Sequence, residues 1–588
     1  MSRYVMDIET NGLLHQMDRV HCVGLLDIDT NRYFGFAPDE IDQALKRMID
    51  ADELIMHNGI GFDLPALSLV YPWFNFTGKV TDTLVLSRLI KADLYNDDAK
   101  SAVLPEGFLK RLYGSHSLKA WGLRLGNLKG DYDGGWEEFN QEMLEYMEQD
   151  CRVTLDLYKL LMSDKDFSER SIQLEHDLAE ICYRIGRNGW TFDEKKAGAL
   201  YAKLAQRRLE LENDLGSLFE PWEIRTPFTP KVNNKSRGYV KGELTYKVKE
   251  IQFNPNSRKH IAHCLIKKYG WKPKEFTPTG DAKVDENVLI KLHYPEAKKL
   301  AEFFLVQKRI AMLAEGNAAW MKLVDSDGKI RHTIISGNCI SARASHRSPN
   351  LSQVPSTRAV YGRECRDLFT APKGWTVLGS DLSGLELRAL AHYLDDDGEY
   401  ANQILSGDIH TFNQNAAGLP DRASAKTYIY SLCFGAGDTL IGEIVGGGRK
   451  EGQRLKSEFN KNIPAFKRLN DDLKRVYKSK GFITGLDQRK LFVRSEHRLL
   501  SQLLQSCGAI LCKEWVKLID SKLKEEGLRS YIMGWIHDEV QMACPNEEEA
   551  QYVGNLCKRL AQAAGQNYKL EIPIDAEFNL GNTWSDTH

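Results

Sequence analysis

Residues 531–542 read YIMGWIHDEVQM, two short apolar runs that meet at His537, Asp538 and Glu539. Ile532, Trp535, Ile536 and Val540 suit a half-buried pleated surface, as β-branched and aromatic side chains do. A tight hairpin is most easily closed by Asn-Gly or Asp-Gly, but this one sets two adjacent carboxylates at its turn. Adjacent acids repel, and burying them unpaired is costly. The fold must therefore bring something positive to this point, and a divalent cation is the natural candidate.

One aspartate does not hold such an ion for catalysis. A second acid ends the apolar run Val377-Leu378-Gly379-Ser380-Asp381, which is followed by Leu382-Ser383-Gly384-Leu385-Glu386. Leucines and alanines then recur at helical spacing through His392, so Asp381 is expected at a strand end just before a helix. Two strand-borne aspartates meeting at one point form a magnesium site suited to phosphoryl transfer. Mg²⁺ takes one or two protein carboxylates plus substrate phosphates. Two such ions about 3.5–4 Å apart activate the attacking oxygen and stabilise the leaving one. Either aspartate alone reads equally well as a solvated loop acid. Between them, residues 422–437 read as a helix stopped by its glycines, with Arg422, Lys426 and Tyr430 on one face. Two cations above an aromatic ring suit a triphosphate with a base or sugar stacked beneath. Taken alone, such a face is more often a solvated stripe.

A second acid constellation opens the chain. The strand-like run from Tyr4 to Thr10 alternates so that Asp7 and Glu9 share a face, which again implies a cation. Asp63 follows the apolar run near His57, and Tyr146 stands one helical turn before Asp150. A chain of 588 residues is too long for one core and suggests three to four domains. Its 42% hydrophobic and 27% charged content is that of an ordinary soluble protein, and its net charge of −2 does not advertise nucleic-acid binding. The basic charge is localised instead. Residues 225–275 hold thirteen Lys/Arg against three acids, the footprint of a phosphate backbone or else a solubilising surface. Scattered Pro, Gly and Asn predict loops and short strands there rather than a long helix. Eleven cysteines without a C-x-x-C pair argue against structural zinc and a disulfide framework. No long apolar span or signal peptide is read, so a cytoplasmic protein is expected.

In combination, DLSGLE at 381–386, the R-x3-K face ending in FGAG, and HDE at 537–539 resemble motifs A, B and C of family A DNA polymerases. HSLKAWGLRLG at 116–126, GDIHTFNQ at 407–414 and LLQSCGAILCKEW at 503–515 extend the likeness toward the replicative polymerases of short-tailed bacteriophages. The front acids resemble DEDDy-type 3′→5′ exonucleases. The resemblance implies an α/β and α+β multidomain architecture, a ribonuclease H-like exonuclease followed by a right-hand polymerase. Its parts would be exonuclease 1–165, linker helices and thumb 166–323, palm 324–383 and 504–588, and fingers 384–503.

The resemblance also assigns roles. Asp381, Asp538 and the Leu382 carbonyl would bind two Mg²⁺, with Mn²⁺ an accepted substitute. His410, Arg422 and Lys426 would hold the triphosphate. Glu386 would exclude a ribose hydroxyl, and Tyr430 would admit dideoxynucleotides. Arg343 and Gln505 would read the minor groove, where A·T and G·C both offer acceptors. His537 and Glu539 would position the primer end, and Phe434, standing where the family usually has Tyr, would stack on the template base. Asp7, Glu9, Asp63 and Asp150 would bind two metals for proofreading, with Tyr146 orienting the water. An exonuclease fold kept only as scaffold is the alternative.

The implied partners are primer–template DNA, dNTPs, a helicase–primase and a single-strand-binding protein, with the protein a monomer in the bacterial host's cytoplasm. The stretch corresponding to the thioredoxin-binding thumb insertion of the phage relatives is short, which puts that partnership in doubt and leaves the basic thumb to hold DNA. Because the chain starts at the front acids, no 5′-nuclease is expected. A single-subunit RNA polymerase is opposed by Glu386, and a pure exonuclease by the intact motifs A to C. A non-catalytic scaffold is opposed by two separate acid constellations.

Overall fold

Residues 2–101, 104, 105, 108–128, 130, 132 and 134–588 are described in a computed structural model. The chain divides into two compact units, one of Met1–Thr191, Arg331–Val354 and Thr370–His588, the other of Phe192–Ile330 and Pro355–Phe369.

The first unit contains two sheets that matter for function. The front sheet has the order Tyr33–Phe36, Val20–Asp27, Arg3–Thr10, Glu53–Met56, Lys79–Asp82. Its first three strands are antiparallel and its last two parallel. The alternation expected for residues 4–10 is present: Val5, Met6 and Ile8 are buried while Asp7 and Glu9 keep partial access to solvent. The helix Gln141–Met162 packs on this sheet. Asn140 caps it by accepting from the Met143 amide at 3.2 Å, which satisfies one of the amides a helix start leaves open.

The rear sheet is antiparallel throughout, with the order Tyr531–Ile536, Glu539–Cys544, Thr376–Leu382, Ala576–Gly581. Its apolar face is covered by the helices Leu499–Glu525 and Glu547–Asn567. Leu378, Leu511, Trp515, Val540, Val553 and Cys557 are among the buried members of one core. Each large apolar side chain so buried stabilises the fold by about 1.5–3 kcal/mol. The close approach of helix to sheet depends on Gly554, where a Cβ would collide with the Phe578 ring. Residues 385–498, mostly helical, fold as an excursion between two strands of this one sheet.

The second unit packs the helix Glu194–Leu218 against Pro295–Ile310 and carries a two-stranded ribbon, Trp222–Phe228 with Thr245–Ile251. The expectation of loops and short strands across 225–275 is corrected here by a twelve-residue helix, Arg258–Tyr269. Its signals are local: Ser257 caps the start and Gly270, at φ 64°, ends it. The high lysine content and neighbouring prolines masked them. Among the described residues no helix is long and apolar enough to cross a membrane.

Candidate active sites

Asp381 stands one residue before the end of its strand, with Glu539 and Glu577 as its register partners on either side. Asp538 occupies the turn opposite, and the Leu382 amide donates to the Asp538 carbonyl at 3.1 Å. The two aspartates are thus stitched together through backbone, as the motif spacing predicted. The turn is strained: His537 has φ 60°, uncommon for a residue with a side chain. Its carbonyl is gripped by the Cys512 thiol at 3.1 Å and the Trp535 indole N–H at 3.0 Å, which fixes the conformation.

A cavity of ≈ 210 Å³ opens here, lined by Arg343, Glu386, Gln505, His537 and Asp538 among others. The Arg343 guanidinium lies 3.6 Å from the Glu386 carboxylate. Gln505, on the helix Leu499–Glu525, donates to the Ser501 hydroxyl at 3.0 Å. Solvent reaches the Asp381 carboxyl, yet the protein packed around it, and then the carboxylates of Asp538, Glu539, Glu577 and Glu386, push it up to about 8. Asp538 is raised as well, chiefly by burial. A donor set that repels itself in this way suits a hard divalent cation held through oxygen.

Arg422 and Lys426 lie exposed on the helix Arg422–Cys433, with Tyr430 half-buried on the same helix. His410 opens the neighbouring helix Ile409–Ala417, its ring 6.3 Å from that of Tyr430. Asp408 joins the two helices. It accepts from the His410 amide at 3.1 Å and from the Arg422 guanidinium at 2.7 Å. Arg422, expected on a phosphate, is therefore engaged with a carboxylate that it holds well below the usual range. His410 is lowered by burial and then by Arg422 and Lys426. Phe434 presents an exposed ring just past the helix end.

Glu539, expected beside the primer end, is instead buried. One oxygen accepts from Gln541 at 2.6 Å, from the Trp584 indole at 2.7 Å and from His588 at 2.9 Å. Gly379 lets this C-terminal turn pack close, since a Cβ there would collide with Gln541 and Thr587. The sequence reading missed Trp584 and His588; a lone tryptophan and a terminal histidine carry no spacing signal.

In the front sheet, Asp7, Glu9 and Asp150 each offer an oxygen within 4.8 Å of the others. Asp63 lies outside that trio. It accepts from the Ile8 amide between Asp7 and Glu9, and burial followed by Asp82 pushes its carboxyl up to about 7. Asp82 was also missed. It is buried and accepts from the amides of Asn58, Ile60 and Leu84. Tyr146 contacts the rings of Tyr132 and Trp136.

Two sequence profiles match: DNA polymerase family A over residues 234–586 and the RNase H superfamily over residues 4–162. The DNA-directed DNA polymerases of Enterobacteria phage T3 and Escherichia phage T7 are each 35% identical, over 99% of this chain and 100% of theirs. Both alignments run over 707 positions, so these relatives carry stretches that the 588 residues here lack. Among solved structures, the POL domain of Pol1 from M. smegmatis, in complex with DNA primer-template and dNTP, superposes with a TM-score of 0.75. Its identity is 17%, and the match covers 99% of this chain and 96% of that one. The expected order of a ribonuclease H-like part followed by a polymerase part is borne out.

Proposed function

Since this chain belongs to DNA polymerase family A, we propose that it extends a primer on a DNA template at the Asp381–Asp538 cavity and trims the product from its 3′ end at the front acids. It is a DNA-directed DNA polymerase with a ribonuclease H-like domain of the exonuclease kind. The observation that carries the reading is the meeting of motifs A and C, two aspartates from distant segments joined by the Leu382–Asp538 hydrogen bond.

Asp381 and Asp538, with the Leu382 carbonyl, would hold Mg²⁺; Mn²⁺ would substitute. The ions would lower the pKa of the primer 3′-OH and neutralise the triphosphate. The remaining work falls to this chain's own groups. Arg422 exchanges Asp408 for phosphate, and Lys426 and His410 add charge as pyrophosphate leaves. Glu386, held by Arg343, closes the space beneath the sugar C2′. Arg343 and Gln505 check pairing geometry from the minor groove, His537 positions the primer end and Phe434 stacks on the template base. In the front domain Asp7, Glu9, Asp63 and Asp150 would bind two metals, and Tyr146 would orient the attacking water.

The proposed parts are exonuclease 1–165, thumb 166–323, palm 324–383 with 504–588, and fingers 384–503. The phage relatives favour a replicative polymerase acting in the host's cytoplasm, as a monomer alongside a helicase–primase and a single-strand-binding protein. The test is extension of a primed single strand with dNTPs and Mg²⁺. Incorporation of the templated bases is expected, and strong incorporation of NTPs by the wild type would favour an RNA polymerase instead.

Tyr430 supplies a more local prediction. Its hydroxyl can donate to a phosphate oxygen of the incoming nucleotide, a hydrogen bond that a dideoxynucleotide, lacking a 3′-OH, cannot supply for itself. Tyr430→Phe should lower the kcat/KM for ddNTPs relative to dNTPs by at least about tenfold, the worth of one hydrogen bond of ~1.5 kcal/mol. Equal chain termination by the two proteins would remove Tyr430 from sugar selection.

A further inference from the structure

Asp82 ends the strand Lys79–Asp82 and caps the helix Thr83–Ile90 by accepting from the Leu84 amide at 2.9 Å. Capping accounts for that one bond. The same carboxylate makes two more that a cap does not need. Its Oδ1 accepts from the Asn58 amide at 2.9 Å and its Oδ2 from the Ile60 amide at 3.2 Å, donors that lie 24 and 22 positions earlier in the chain.

Those donors belong to the turn that delivers Asp63. It leaves the strand Glu53–Met56, reverses at Asn58, whose φ is 69°, and enters the helix Asp63–Val70. The left-handed region is uncommon for a residue with a side chain. Here it aims two amides of the turn into one concavity, which suits an anion, and the Asp82 carboxylate fills it. Thr83 adds a second tie: its hydroxyl donates to the Met56 carbonyl at 3.0 Å and lies 2.9 Å from the His57 ring. Asp63 is thereby fixed from one side by this turn. From the other it accepts from the Ile8 amide, between Asp7 and Glu9.

Asp82 is itself held from behind. Its backbone N–H donates to His176 Nε2 at 2.9 Å. The His176 Nδ1–H donates to the Ile172 carbonyl at 2.8 Å, which fixes the tautomer that leaves Nε2 to accept. Both residues are buried, where an unmade hydrogen bond is expensive. His176 follows Glu175 on the helix Glu169–Asn188, and Glu175 is bound to Arg489 and Lys513. One helix thus reaches Asp82 with one residue and the core of the polymerase part with the residue before it.

We propose that Asp82, held by His176, is a positioning residue of the front acid site: it fixes the turn that sets Asp63 beside Asp7, Glu9 and Asp150, and so shapes that site for a divalent cation. Its consequence for trimming rests on the exonuclease reading above; its consequence for cation binding is measured separately. A carboxylate that only capped its own helix would affect neither.

The test uses the full-length protein and the variants Asp82→Asn, His176→Ala and His176→Gln. Asparagine offers one acceptor oxygen where the carboxylate offers two, so the turn loses a tie. Mn²⁺ binding is read by electron paramagnetic resonance in an Asp381→Ala/Asp538→Ala background, which leaves the front acids to bind. Asp82→Asn should weaken Mn²⁺ by about tenfold or more, since replacing groups that orient metal ligands costs about 10–100-fold. With Asp381 and Asp538 intact, it should lower the kcat for trimming a 5′-labelled single strand by a similar factor while KM stays within about twofold. Primer extension by the same samples should keep the wild-type rate and serves as the folding control. His176→Ala should lose about fivefold in trimming, the worth of one hydrogen bond. His176→Gln, whose amide oxygen can accept the same N–H, should recover it. Wild-type Mn²⁺ affinity in Asp82→Asn overturns the proposal. So does an equal loss in the two His176 variants, or a matching fall in extension, either of which would mark a purely structural role. If Asp82→Asn does not fold, the His176 pair decides. A wild type that extends primers and trims nothing, with Mn²⁺ weakened in Asp82→Asn, supports the positioning role and defeats the trimming reading instead.

Discussion

Asp538→Ala should lower dNTP incorporation by more than about 10³-fold while digestion of single-stranded DNA continues at the wild-type rate. Removing one electrostatic donor from a reaction centre already costs about 10²–10³ in kcat, and a cation-holding carboxylate does more. The reciprocal variant, Asp7→Ala/Glu9→Ala, should keep extending primers but lose trimming by a comparable factor, and should extend mismatched ends uncorrected. The sites are built on different sheets, one joining Asp381 to Asp538, the other gathering Asp7, Glu9 and Asp150. Gel analysis of a 5′-labelled primer reads both activities in one lane. Loss of both in either variant would mean that the two acid groups do not act separately.

Glu175→Ala should destabilise the fold by about 3–5 kcal/mol, the usual cost of leaving a buried charge without its partner. Glu175, on the helix Glu169–Asn188, accepts from Arg489 at 2.6 Å and also from Lys513. Asp487 holds the other side of Arg489 at 2.6 Å. All four side chains are almost completely buried. Burial alone would raise the Glu175 carboxyl, but Lys513 and then Arg489 outweigh it and hold it at about 2. For Lys513 burial prevails and lowers the ammonium.

The folded carboxyl lies below its ordinary value of 4.5, so its stabilisation is complete above that value and is lost as the pH falls toward 2. Calorimetric melts should therefore fall steeply between these limits in the wild type and less steeply in Glu175→Ala. The double replacement Glu175→Leu/Lys513→Met should recover much of the loss, because paired removal leaves no orphan charge. A single variant that melts like the wild type would refute the account. The network anchors the helix that also carries Gln505 and whose Gln502 donates to the Ile340 carbonyl at 2.6 Å.

The parts of this molecule that were legible in the sequence are those where chemistry demands fixed residue types at fixed spacing. His537 and Asp538 at a hairpin turn, Asp381 on a strand just before a helix, and Asp7 with Glu9 on one strand face all stand where the pattern put them. What stayed hidden depends on contacts that no local pattern encodes. Glu539 is claimed by a tryptophan 45 positions away, and Glu175 by a lysine 338 positions away. The helix Arg258–Tyr269 was concealed because its lysines and flanking prolines resemble a loop, although Ser257 and Gly270 mark its ends. Asp63 lies outside the trio of Asp7, Glu9 and Asp150, yet it accepts from the Ile8 amide that stands between two of them, with the Asp82 carboxylate nearby.

The strand carrying Asp381 pairs on one edge with Glu539–Cys544 and on the other with Ala576–Gly581. A ribosome delivers the chain from its N-terminus, so that strand waits in the exit-side nascent chain for both neighbours while nearly 200 residues are still being made. Such non-local pairing is slow to form. Asp7, Glu9, Asp63 and Asp150, all within the first 150 residues, are synthesised long before the strand Ala576–Gly581 that completes the sheet of Asp381. A chain halted before residue 576 would therefore hold every front acid yet lack one edge of the sheet that carries Asp381.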